Sequence, residues 1–503
     1  MAVNIGAMFS NRAKLSPGLE AFVGEAYRYT YYETNRRING LAAFLKKNGI
    51  SAGDRVAVLG KNNEHVTTTM YAALKTGAIF VPLNYRLQAP ELVYILNNCG
   101  ASLLVYDDEF GPIIEKIRKE IPVKHYLKAL GKESAGGFEE SLAGMPADEP
   151  EITGGGDDPA VILYTSGTTG NPKGAILTHN NLFWASLGLM HSINWFHKYR
   201  FLSIAPLFHS GGLAPMMGNV HAGATTVFLP DFDPGKVWNV IQKEKINFMM
   251  SVPAMLSFML LVPGIDKMDL SSLDHIVCGG SMVPQSLILT YKDMGIKVEN
   301  VFGITEYTGA VTFWTHDMDM DRSDSVGLPV FHGSVRILQP GTGAVLPAGE
   351  VGEICVSGPQ VFGGYWGNAE AGAAVLKNGQ YLSGDLGRMD EDGYLYVVDR
   401  LKDMIVSGGE NIYPAELERV IKTHPGVAEV AVAGKNDARW GEVPVAFIVK
   451  NLNAEIREEE IIKLCKENLA SYKCVKEIRF IDAVPKNALG KVLKRELRRQ
   501  LAG

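Results

Sequence analysis

Short apolar runs rich in β-branched residues alternate with helix-like stretches through the first half of this chain: RVAVLG, a helical pattern to Lys75, GAIFVPLN, and later SLLVYDD. Strand-length apolar runs alternating with longer helical patterns argue for layers of sheet and helix. The rhythm predicts α/β layers. At 503 residues the chain is too long for one core, since a domain usually holds roughly 100–200 residues. Between about Asp324 and Asp399 the pattern changes to short strand-like runs broken by Gly, Pro and Asp turns, as in VRILQPGTGAVLPAGEVGEICVSG and GYLYVVDR. This predicts a small β-rich, barrel-like subdomain at the end of a large N-terminal domain, residues 1–399. From Arg400 onward, PAELERVIKTH and EEEIIKLCKENLASY surround the strand-like EVAVAGK and PVAFIVK, which predicts a smaller α+β C-terminal domain, residues 400–503.

The 49 basic and 55 acidic residues leave a net charge of −6, which supplies no global field to attract nucleic acid or anionic lipid. Any phosphate must therefore be held locally, and nucleic acid is not an expected partner. Five cysteines, none in a CxxC pair or at zinc spacing, fit a reducing compartment, because an odd number cannot all pair within the chain. The N-terminus lacks a basic start followed by an apolar run, so a cytoplasmic protein is expected. The most apolar stretch, Phe248 to Ile265, is interrupted by Ser251, Pro253, Ser257, Pro263 and Gly264. It is expected as a kinked buried helix rather than a membrane span. A homodimer is compatible with the sequence and not specified by it.

The segment with the most chemical content is LYTSGTTGNPKG, Leu163 to Gly174. An apolar run enters a loop in which Gly167, Gly170 and Gly174 let backbone N–H groups approach phosphate oxygens. Thr165, Ser166, Thr168 and Thr169 add hydroxyl donors, and Lys173 adds a cation. The spacing is not that of a Walker A loop. It resembles the phosphate loop of the AMP-forming acid:thiol ligases, the adenylate-forming superfamily that includes acyl-CoA synthetases. The resemblance covers nearly the whole chain in order: GDRVAVLGKNN, GAIFVPLN, VFGITE at Val301–Glu306, YLSGDLGRMDEDGYL at Tyr381–Leu395, DRLKDMIVSGGENIYPAELE at Asp399–Glu418 and PKNALGKVLKREL at Pro485–Leu497.

The resemblance implies a reaction in two steps, with ATP and CoA as co-substrates. A carboxylate is first made into an acyl-adenylate with loss of pyrophosphate, and a thiol then displaces AMP. It implies that Lys491 bridges the attacking carboxylate and the α-phosphate, that Glu306 holds Mg²⁺, and that Thr305 contacts the α-phosphate. Electrostatic stabilisation of that kind is the expected source of rate. It places Phe302 against adenine, with Gly279, Gly280, Ser281, Asn300 and Gly303 around the nucleotide, and Asp385 and Arg400 at the ribose. Lys402 is implied as a hinge pivot, with Gly408 and Gly409 beside the pantetheine path. The acid pocket is implied at His209, Phe248, Gly303 and Gly309. Acetate-restricted relatives carry tryptophan where this chain has Gly303, so a medium-chain, aromatic or alicyclic acid is expected. Val301 is not the arginine of dicarboxylate-selective relatives. Relatives often read ASYKVPK where this chain has Ala470 to Lys476 with Cys474. Loading of a carrier protein, a luciferase-like oxidase and a non-catalytic nucleotide sensor remain the alternative readings of the sequence alone.

Overall fold

A computed structural model describes residues 2–129, 137–165, 171–407, 410–437, 439–452, 454–469, 473–486 and 492–502. The chain forms two compact units, Met1–Val335 with Val356–Leu382, and Arg336–Cys355 with Ser383–Gly503.

The first unit holds two sheets. In the six-stranded sheet, His125–Ala129, Ala101–Asp107, Arg55–Leu59, Ile79–Pro82 and Pro159–Thr165 run parallel in that order, and Lys173–Thr178 returns antiparallel along the last of them. In the nine-stranded sheet, six parallel strands lie in the order Lys297–Ile304, His275–Gly279, Phe248–Ser251, Arg200–Ser203, Thr225–Phe228 and Glu20–Val23. Antiparallel strands flank both ends, Gly309–Trp314 with Leu328–Pro329 on one side and Arg28–Thr30 on the other. The parallel strands are buried on both faces, which is why they read as unbroken apolar runs. The helix Glu64–Lys75 is buried at every residue. The expected α/β layering is present.

One expectation is corrected. Phe248 to Ile265 is not a kinked helix but the strand Phe248–Ser251 followed by the short helix Pro253–Met259. FMMS pairs with strands on both sides, Phe248 opposite Phe201 and His275. Pro253 stands at the first helical position, where its missing N–H leaves no helical bond unmade.

A third sheet, most of whose residues belong to the second unit, has Ser334–Leu338, Gly352–Ser357 and Gln380–Met389 as successive strands, and Leu395–Arg400 pairs with the last of them. A separate sheet has the order Glu410–Ile412, Ile405–Ser407, Gly441–Lys450 and Val427–Asp437, with Glu477–Phe480 parallel to Gly441–Lys450. Ile412, Leu417, Ile421, Ile448, Ile461 and Cys465 form one buried cluster, bringing the helices Pro414–Lys422 and Glu458–Asn468 onto the sheet. Phe447, Val445 and Leu497 form another, which seats the helix Lys494–Ala502.

Candidate functional site

Parallel strands place all their carboxyl ends along one sheet edge, where the chain turns and ligands of α/β proteins bind. On the nine-stranded sheet, that edge carries Gly280 and Ser281 after the strand His275–Gly279, and Thr305 and Glu306 after Lys297–Ile304. Gly279 pairs with Val301, so the two segments expected around the nucleotide are side by side. Gly280 and Ser281 are exposed, and Phe302 is half-buried. Asn300 is 3% exposed, and its side-chain N–H donates to the Ser325 carbonyl at 2.7 Å. That amide group is committed to bracing the backbone behind the strand.

On the six-stranded sheet, Pro159–Thr165 ends at the loop, and the chain returns with Lys173 paired opposite Thr165. The Thr165 hydroxyl donates to the Lys173 carbonyl at 3.4 Å. Ser166, Gly167, Thr168, Thr169 and Gly170 lie outside the described residues. Gly174, expected to approach phosphate, pairs instead with Tyr164 inside the strand, and its carbonyl accepts from the Trp366 N–H at 2.8 Å. It belongs to the sheet.

The segment around Trp366 was not singled out by sequence reasoning, and it joins the two edges. Gly363 and Gly364 bond the backbone of Ile176, which carries Tyr365 past the end of the hairpin. The Lys173 ammonium lies 5.2 Å from the Tyr365 ring centre, within cation–π range. The Tyr365 hydroxyl donates to Glu306 Oε1 at 2.7 Å. Burial and the Glu306 carboxylate push the phenol well above its usual range, so it stays a donor. The only signal in the sequence was an aromatic pair after two glycines, GGYW.

The donor set at Glu306 fits Mg²⁺. A carboxylate has about four lone-pair sites, and one bond from Tyr365 leaves capacity for a hard cation. Among the described residues no group of three His, Cys, Asp or Glu side chains could hold a metal ion. A site using one carboxylate, with phosphate and water completing the shell, is the usual arrangement for Mg²⁺.

At the expected acid pocket, His209 precedes the helix Ser210–Ala222, its ring 4.4 Å from that of Phe208. Burial, reinforced by Arg86, lowers the imidazole to about 4, so it is neutral at pH 7. Its Nε2 is buried without a hydrogen-bond partner among the described residues. Phe248 is corrected from pocket wall to core. It has no exposed surface, and its ring lies 4.6 Å from Trp195, 4.9 Å from Phe201 and 5.2 Å from His275. Two residues on, the half-buried Met250 reaches toward Gly211, its Cε 3.8 Å from where a Cβ there would stand. Gly303 is exposed, but a Cβ on it would stand 2.8 Å from the Gly309 carbonyl oxygen. The close approach of two strands therefore also favours glycine there. Gly309 has φ +129°, a conformation suited to glycine.

In the second unit, Asp385 and Arg400 are paired across two strands, and Arg400 Nε lies 2.5 Å from Asp385 Oδ1. The two residues expected at the ribose thus orient each other. Lys402 lies in the turn Leu401–Asp403. Arg498 holds that turn, 3.1 Å from the Asp403 carboxylate and donating to the Lys402 carbonyl at 3.1 Å. Gly408, Gly409 and Lys491 lie outside the described residues.

The sequence matches the AMP-binding enzyme family over residues 9–366 and the AMP-binding enzyme C-terminal domain over residues 416–491. It is 38% identical over 500 residues to the long-chain-fatty-acid–CoA ligase FadD13 of Mycobacterium tuberculosis, covering 99% of this chain and 98% of that protein. It is 39% identical over 497 residues to a feruloyl-CoA synthase of an Amycolatopsis species, covering 99% of each. The fold superimposes on the o-succinylbenzoate CoA synthetase of Bacillus subtilis in complex with ATP and magnesium ion with a TM-score of 0.86 at 30% identity, covering 99% of each chain.

Proposed function

This chain belongs to the family of AMP-binding enzymes and is an acid–CoA ligase; from that premise we propose that its acid is a medium-chain, aromatic or alicyclic monocarboxylate, activated with ATP and Mg²⁺. The observation that supports this site assignment is the convergence of Lys173, Tyr365 and Glu306 at the end of the loop hairpin. It gathers a cation, a fixed donor and a carboxylate where a polyphosphate would enter.

In the first step, a carboxylate oxygen attacks the α-phosphorus, and the bond to pyrophosphate breaks. Two anions must approach, so positive charge at the α-phosphate is the main requirement. Lys173 supplies it at the loop, and Lys491 is assigned to bridge the attacking oxygen and the α-phosphate. Glu306 would hold Mg²⁺, which when bound neutralises phosphate charge. Thr305 is placed to donate to the α-phosphate, Phe302 to stack on the base, and the Asp385 carboxylate to accept from the ribose hydroxyls with Arg400 fixing its orientation. In the second step the CoA sulfur attacks the acyl carbon, and the bond to AMP breaks. The 400–503 domain is assigned as a mobile lid turning at Lys402, with Gly408 and Gly409 lining the thiol path.

A neutral His209, Met250 as an apolar wall and the absence of a cation at Val301 all favour an acid with one carboxylate and an apolar tail. The test is pyrophosphate release with ATP, Mg²⁺ and CoA across acetate, butyrate, hexanoate, decanoate, benzoate and cyclohexanecarboxylate. Turnover of ring or medium-chain acids well above acetate is expected. Preference for acetate would overturn the substrate assignment.

A further inference from the structure

The first unit contains a cavity of about 280 Å³ that holds none of the residues assigned to ATP or the acid. Ser192 and Asn194 form one wall, at and just beyond the end of the fourteen-residue helix His179–Ser192. Thr315 and Asp317 form another, after the strand Gly309–Trp314, and Phe196 stands at the rim, 52% exposed. Between them lies Glu299. Asn300 pairs with Trp314, so Glu299 and Thr315 adjoin on neighbouring strands. The strand Lys297–Ile304 thus carries Glu299 near its amino-terminal end and Phe302 and Gly303 near the other.

Glu299 is the residue that needs an explanation. It is 4% exposed, and its Oε2 has no hydrogen-bond partner among the described residues. A buried carboxyl left without a partner costs free energy, and such groups concentrate at functional sites. Burial, opposed by His275 and Lys297 and reinforced by Asp274 and Asp317, raises its carboxyl to about 7. Of these, Lys297 is turned to Asp274, 3.5 Å away, and His275 Nδ1 lies 3.3 Å from the same carboxylate.

The lining selects the sign of a ligand. It contains two carboxyl groups, Glu299 and Asp317, one imidazole, His191, and no lysine or arginine. The carboxyl end of a helix meets it, and that end carries the negative pole of the helix dipole. At the rim the Phe196 ring is exposed, and a ring face attracts cations. The two carboxyl groups and the helix end disfavour an anion. Among the described residues no cluster has the donors for a metal ion. We propose that this cavity is a second binding site, for a small organic ammonium ion, with the Glu299 carboxylate as its counter-ion and the Phe196 ring as its rim.

The sign of the pH dependence follows. An alkylammonium stays charged to about pH 10, whereas Glu299 becomes an anion as pH rises through about 7. Affinity should therefore rise about tenfold between pH 6 and pH 8, with proton uptake by buffer at the lower pH. The experiment is calorimetric titration of the full chain with n-butylammonium chloride, in buffers of different ionisation enthalpy, with n-butanol as the uncharged control. Expected are saturable binding of the amine, proton release near pH 6.5, no competition by butanol, and at least about tenfold weaker binding in Glu299→Gln. Phe196→Ala, at the exposed rim, should weaken binding severalfold and serves as the second variant. Absence of saturable binding at millimolar amine, equal competition by butanol, or undiminished binding in both variants would overturn the proposal. Pyrophosphate release by the same preparations reads the ligase assignment separately, so failure of one does not imply failure of the other.

Discussion

Lys75 and Lys173 lie in the same unit, and the protein treats them in opposite ways. Lys75 is wholly buried, and its ammonium donates to Asn35 at 2.8 Å, Asn39 at 2.7 Å and Glu149 at 2.7 Å. Every proton on that nitrogen has an acceptor supplied by the fold. Ser10 and Asn35 also donate to Glu149, which closes the network. Lys173 instead faces the ring of Tyr365, and among the described residues it makes no ion pair. A buried cation whose donors are all met by side-chain acceptors is held as structure, whereas one whose described side-chain contact is a ring face is held in place by cation–π attraction.

The largest expected effect concerns a third lysine that would extend the second class. Lys491→Ala should lower acyl-adenylate formation by roughly 10²–10³, while supplied acyl-adenylate is still consumed with CoA. Equal loss in both half-reactions would remove Lys491 from that class. Next, Lys75→Met should cost about 3 kcal/mol in urea unfolding, the low end for breaking a buried pair, because Glu149 keeps some access to water. Lys173→Met should leave the unfolding midpoint in place and depress adenylation. If the two variants exchanged these outcomes, the comparison would fail.

A smaller effect is expected at the hydroxyl that ties Tyr365 to Glu306. Tyr365→Phe should raise the Mg²⁺ concentration needed for half-maximal rate about fivefold, as loss of a hydrogen bond to a charged group allows, and a Mg²⁺ titration reads it directly. The smallest concerns acid stability. Burial works against an ionised Glu149, but Lys75, Ser10 and Asn35 outweigh it and hold the carboxyl at about 2. The unfolded chain then binds the proton first, so stability present above about pH 4.5 is lost as pH falls toward 2. Lys75→Met should flatten that slope in unfolding curves taken across the same range.

Much of this was legible in the residues. The strands Arg55–Leu59 and Ala101–Asp107 could be read because burial on both faces leaves no polar alternation. The family could be read from the stretch Thr165 to Lys173 and the segment around Glu306, because their residue types stand in a characteristic order. FMMS at Phe248 could not, since a short apolar run is compatible with helix or strand until its neighbours pair with it. Tyr365 was missed for a related reason. Its role depends on Lys173 and Glu306 arriving on either side of it, and nothing local to GGYW encodes that.

The sequence by itself determined the layered α/β class and the family, because these rest on periodicity and on residue types in fixed order. Only the tertiary structure decided which side chains are core and which are site. Phe248 went to the core, Tyr365 came to hydrogen-bond Glu306, Lys75 was sealed, and Glu299 was buried with its Oε2 unpartnered among the described residues. Burial and hydrogen-bond satisfaction are properties of what packs against a residue, and for a sheet assembled from strands far apart in the chain those neighbours are set by topology rather than by adjacent residues.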